Sequence, residues 1–112
     1  MAALNRAADR GQLVACDVVW AELSAAFGDL GGADTLLERN AVEFSAMSPA
    51  SAGRAGQSWR AYRRAGGPRE RTITDFLIAG HAFEQADVLL TRDRGFARAY
   101  FGGLRIEDPS AL

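Results

Sequence analysis

Residues 88–96 read VLLTRDRGF. Val88, Leu89 and Leu90 have the make-up of a buried strand, and a continuous apolar run suits one covered on both faces. Thr91, Arg92, Asp93 and Arg94 then arrive together, and Gly95 breaks the run. A core strand that delivers two arginines and a carboxylate at its exit has reached either solvent or a site. In an open parallel sheet, ligands bind beyond the carboxyl ends of the strands, so this exit is a candidate. Thr91 and Asp93 alternate to the same side and can enter one pocket. Arg92 and Arg94 fall on the other side or on the rim, where each can contact a phosphate or satisfy a neighbouring carboxylate.

The rest of the chain alternates helices with strands. Upstream, TITDFLIAGHAFEQA (72–86) carries Phe76, Ala79, Gly80 and Phe83 at helical spacing. Thr72 and Asp75 stand three apart, as in a capping box. Ser48-Pro49 opens another helix, a cap residue followed by proline in the first turn. It runs to about Ala65, with Trp59 and Tyr62 on one face, and Gly66-Gly67-Pro68 stops it. LVAC (13–16) and AVEFSAM (41–47) read as strands, and DVVWAELSAAF (17–27) and ADTLLERN (33–40) as helices. Residues 3–10 read as a helix end stopped by Gly11. Downstream, GFARAYF (95–101) is a short helix and LRI (104–106) a last strand. The order argues for an α/β fold, a mostly parallel central sheet flanked by helices.

The chain has 112 residues, which suits one domain over 1–112. No apolar run approaches the roughly 20 residues of a membrane span, and the start lacks the apolar segment of a signal peptide. Cys16 is the single cysteine, so neither a disulfide framework nor a cysteine-type zinc site is expected. A cytoplasmic protein is the default. Residues 1–50 hold seven acids against three arginines, and residues 51–112 hold seven against ten, so the basic charge gathers in the second half. Lysine is absent, and arginine is the better fork for phosphate and carboxylate. Six arginines lie between Arg54 and Arg71, opposed only by Glu70. A solvated helix face explains them as well as an anionic partner does.

Three carboxylates stand in places that need explaining. Glu22 shares helical spacing with Val19, Leu23 and Ala26 and is expected toward the core side, where an unpartnered acid is costly. Asp75 has Ile78, Ala79 and Ala82 at its third, fourth and seventh following positions. Asp93 follows a strand. Each has a plain alternative: an arginine partner for Glu22, a capping role for Asp75 or Asp93. Together, three acids at one sheet edge would repel one another unless a cation joins them. Carboxylates without His or Cys suit Mg²⁺ or Mn²⁺ rather than zinc. Such ions activate water and stabilise a phosphoryl transition state, and neighbouring arginines suit a phosphate chain, which points to phosphodiester hydrolysis.

DVVWAELS (17–24), ITDFLIAGHA (73–82), VLLTRDRGF (88–96) and YFGGLRIEDP (100–109) resemble the successive motifs of a PIN-domain ribonuclease. Within that superfamily the chain is most similar to the VapC toxins of type II toxin–antitoxin systems. The resemblance runs from about Arg6 to Pro109 and is strongest from Thr72 to Phe101. It implies an Mg²⁺-dependent (or Mn²⁺-dependent) endoribonuclease whose metal-binding, catalytic acids match Glu22, Asp75 and Asp93, with Thr91 lining the same site. It further implies a homodimer, and a VapB-type antitoxin that blocks the site with a C-terminal segment.

One part of the family pattern has no counterpart here. Family members open with an apolar strand that ends in Asp, and this chain starts within what reads as the following helix. Asp9 sits at a helix end and cannot replace that aspartate; Asp17 reads as a cap for the Glu22 helix. The expectation is therefore a PIN-like domain truncated at the N-terminus, with a start placed too far downstream as the favoured account. The alternative to a toxin is a catalytically impaired PIN remnant that only binds an antitoxin or a second protomer. A receiver domain is the third reading, disfavoured because the chain has no N-terminal acid pair and no far-end lysine. His81, mid-helix without a ligand partner at metal spacing, reads as structural; Asp87 as a turn residue; Trp59 and Tyr62 as core or dimer contacts.

Overall fold

The structure is a computed structural model that describes residues 6–7, 9–68, 71–91 and 94–108. Its order is β1 (Leu13–Cys16), α1 (Asp17–Ala26), α2 (Gly32–Arg39), β2 (Val42–Ser45), α3 (Pro49–Arg64), α4 (Ile73–Gln85), β3 (Leu89–Leu90), α5 (Arg94–Tyr100) and β4 (Ile106–Glu107). This is the expected α/β alternation, and both strand pairs are parallel. The chain divides into two compact units, one reaching Ala46 and the other spanning Met47–Asp108. No helix among the described residues is long and apolar enough to cross a membrane.

In the first unit, β1 and β2 pair from Leu13 opposite Val42 to Cys16 opposite Ser45. Ala15, Leu37 and Val42 form its core, and Leu13, Val19, Trp20 and Leu23 pack on them. The side chains that alternate to one face of this ribbon therefore meet α1 and α2. Trp20 meets Phe44 edge to face at 5.3 Å between ring centroids, while its indole N–H donates to Asp34 Oδ1 at 2.6 Å. That contact satisfies the polar end of a half-buried aromatic. Asp17 opens α1 as its first-turn acid, favoured there by the helix dipole, but makes no side-chain cap.

The second unit is built on the packing of α3 against α4. Ser48 caps α3, its Oγ accepting the Ser51 N–H at 3.1 Å, and Pro49 follows in the first turn. At this end Gln85 Oε1 accepts from both Ser51 Oγ (2.6 Å) and Ser48 N–H (2.8 Å), tying the start of α3 to the end of α4. In the middle the helices touch closely. A Cβ on Gly80 would lie 2.8 Å from the Ser51 carbonyl oxygen and 3.0 Å from Ala55 Cβ, so nothing larger than hydrogen fits. The fully buried Phe76 then anchors a core of Ala55, Tyr62, Ala79 and Phe101, edged by Trp59 and Tyr100. Trp59 and Tyr62 are thus core contacts. Phe76 meets Trp59 at 5.3 Å and Tyr100 at 5.7 Å, both edge to face, the geometry that aromatic quadrupoles favour. His81 is buried within α4.

Two details differ from the sequence-based reading. The strand expected over Val88–Leu90 comprises only Leu89 and Leu90 and is half-buried. Its one strand partner among the described residues is β4, with Leu89 opposite Ile106 and Leu90 opposite Glu107. That register also places the last strand at Ile106–Glu107 instead of 104–106. Replacing Gly80 with alanine should destabilise the protein by about 1–3 kcal/mol, because the added methyl meets backbone. Urea unfolding of the variant measures this, and an unchanged midpoint would contradict the close approach.

Candidate active site

Asp75 is the best-defined of the proposed acids. Thr72 and Asp75 form the capping box of α4. Asp75 Oδ2 accepts the Thr72 N–H at 2.9 Å and lies 3.4 Å from Thr72 Oγ1. The Asp75 N–H itself donates to the Thr72 carbonyl at 3.1 Å. One carboxylate oxygen therefore closes the helix terminus. Oδ1 has no hydrogen-bond partner among the described residues, and the side chain is half-buried, so a second ligand can approach it. The plain capping role is real, and it does not use up the carboxylate.

Glu22 lies in α1 and is exposed. Helical spacing groups it with Val19 and Leu23, yet only those two pack on the core of the first unit. The expectation that Glu22 faces the core side is corrected: α1 has no fully buried residue, and its covered stripe is narrower than the spacing suggested. Glu22 makes no ion pair among the described residues.

Thr91 immediately follows β3, half-buried, with its N–H donating to the Glu107 carbonyl at 3.0 Å. This bond extends the parallel ladder by one step and holds the strand exit straight. Arg92 and Asp93 lie outside the described residues. Arg94 opens α5, and its side chain also lies outside what is described. Among the described residues no three His, Cys, Asp or Glu side chains gather at metal-binding distance. The donor chemistry of Glu22 and Asp75, carboxylate oxygens with room left on each, fits a hard divalent cation.

One feature went unread in the sequence. The Gly66-Gly67-Pro68 stop of α3 walls an open cleft of about 640 Å³, which Trp59, Arg63, Arg71, Thr72 and Ile73 also line. The Tyr62 hydroxyl donates to the Pro68 carbonyl, and a Cβ on Gly67 would lie 2.5 Å from the Tyr62 ring. The double glycine is therefore more than a helix stop: the chain must cross the face of Tyr62 directly. The available signal was an aromatic four residues before a Gly-Gly pair, which is too common to be specific.

A family model described as the PIN domain matches residues 1–102, and the chain belongs to that family. Among solved structures it is similar to a chain of VapBC-1 from nontypeable Haemophilus influenzae, with a TM-score of 0.75 and 20% identity over 98% of this chain and 87% of that one. No curated protein matches the chain. Replacing Asp75 with alanine should cost about 1 kcal/mol of stability through the lost cap. Glu22→Ala, at an exposed position without a partner among the described residues, should leave the unfolding midpoint unchanged; equal effects in thermal or chemical unfolding would refute this contrast.

Proposed function

We propose that the chain is a metal-dependent endoribonuclease toxin of a type II toxin–antitoxin system, of the VapC kind. The observation that carries the proposal is the PIN family match over residues 1–102, which spans both Glu22 and Asp75 and includes Asp93. We take the two compact units as one PIN-like domain because the matched segment runs through both. The similarity to a VapBC-1 chain supports the toxin–antitoxin setting and a VapB-type antitoxin as partner. A homodimer and a cytoplasmic location belong to the same reading.

In this reading Glu22, Asp75 and Asp93 hold Mg²⁺ or Mn²⁺. Bound there, such an ion supplies water activation and neutralises charge developing on the phosphoryl oxygens. The residues themselves orient and exclude. Asp75 is fixed by its bond to the Thr72 N–H, so its free Oδ1 points from a rigid helix end rather than a loop. Thr91 is set at the strand exit by its own ladder bond and offers a hydroxyl at the rim. Arg92 and Arg94 stand beside Asp93 in sequence and suit the RNA phosphates.

A second reading, a PIN-fold protein that binds an antitoxin or another protomer without cutting, draws on the structural work Asp75 already does as a cap. One experiment separates the two. The purified chain, incubated with RNA and Mg²⁺ or Mn²⁺, should cleave it, and EDTA should stop the cleavage. Asp75→Asn and Asp93→Asn should fall to the buffer background while remaining folded by circular dichroism. Full cleavage by Asp93→Asn would remove Asp93 from the site, and no metal-dependent cleavage by the parent chain would favour the binding-only reading.

A further inference from the structure

We infer that the cleft between the end of α3 and the start of α4 is a nucleotide subsite, which holds a base against Trp59 and a phosphate on Arg63 and Arg71. The inference rests on the nuclease reading and names how the RNA strand beside the cut is gripped. Its first support is charge. Arg54, at the far end of α3, is neutralised by Glu84 at 2.8 Å. Arg60, Arg63 and Arg64 are exposed at the cleft end and have no carboxylate partner among the described residues. The positive surplus of α3 thus lies in its second half, where Arg63 lines the cleft, and an anion is the ligand it favours.

The second support is the surface itself. Trp59 is half-buried, stacked on Tyr62 at 5.8 Å with 21° between the rings. The Arg63 guanidinium sits 5.6 Å from the Trp59 ring centroid, a loose cation–π contact near the outer limit of such pairs. An arginine resting on a half-buried aromatic can turn toward a phosphate while a base takes its place on the ring, and stacking of this kind is how single strands are held without sequence reading. The cleft volume of about 640 Å³ falls in the range of roughly 300–1,000 Å³ typical of small-ligand sites.

The third support is position. Thr72 and Ile73 line the cleft, and Asp75 lies in the same first turn, bonded to the Thr72 N–H. The Asp75 carboxylate already takes the α4 terminus, so the anion is left to the guanidinium groups. The cleft and the Asp75 carboxylate thus share the first turn of α4. An acidic peptide matches the charge but gains nothing from the aromatic face.

The test uses the full chain, a fluorescein-labelled single-stranded oligouridylate and EDTA, so that binding is read without cleavage. Arg63→Gln and Arg71→Gln should each weaken binding about tenfold and lower the slope of log affinity against log salt by about one. Arg39→Gln, in the other unit, should change neither. In a Trp20→Phe background Trp59 is the only tryptophan, and its emission should be quenched by the RNA. Unchanged affinity and slope in both cleft variants would overturn the subsite and leave the nuclease reading intact. Equal binding of polyglutamate and RNA would overturn it in favour of a peptide-binding face. RNA binding that depends on Arg63 and Arg71, in a chain that does not cut with Mg²⁺, would uphold the subsite and discard the nuclease reading.

Discussion

The closeness of α3 and α4 at Gly80 governs the second unit. A side chain there would have to displace the Ser51 carbonyl and Ala55. With only hydrogen at the contact, Phe76, one turn earlier on α4, is carried into full burial among Trp59, Tyr62 and Phe101. Protein interiors respond to volume changes of a single methylene, so this spacing is a constraint on every neighbour. The aromatic cluster in turn fixes Tyr62, whose hydroxyl holds Pro68. Asp75 takes its place from the same helix as Phe76, one residue before it, and from its cap to Thr72.

The two ends of the helix pair are secured by different physics. At the start of α3, Gln85 bonds Ser48 and Ser51, so the closure is polar and directional. At the other end the closure is aromatic, with edge-to-face rings at 5.3–5.7 Å. Hydrogen bonds specify one register, whereas apolar burial supplies most of the driving force. The candidate acid lies at the apolar end, where burial holds the helix and its cap leaves one carboxylate oxygen available.

The sequence was legible where structure is local. Ser48-Pro49 and the Thr72–Asp75 spacing mark helix starts by chemistry confined to one turn, and both appear as expected. The alternation of elements and the PIN resemblance were legible for the same reason, since each motif is short and self-contained. Glu22 was not. Spacing assigns it a face, but burial depends on what the rest of the chain lays against that face, and α1 is covered only along Val19, Trp20 and Leu23. The last strand shifted because its limits come from its pairing with β3 rather than from its own residues. How Glu22, Asp75 and Asp93 stand in space is a long-range property of the same kind, beyond the reach of spacing along the chain.

Trp59 and Arg60, Arg63 and Arg64 belong to one helix but answer to different demands. The tryptophan is bound to Phe76 and Tyr62 and cannot change without disturbing the core. The arginines are exposed, Arg63 with its guanidinium loosely over the Trp59 ring, and exposed substitutions away from special features scarcely alter stability. Selection can therefore rewrite the charge pattern along α3 almost freely while the scaffold beneath it stays constant. Two descendants of this chain could keep the same helix pair, the same cap and the same carboxylate, and still diverge in the partners their surfaces admit.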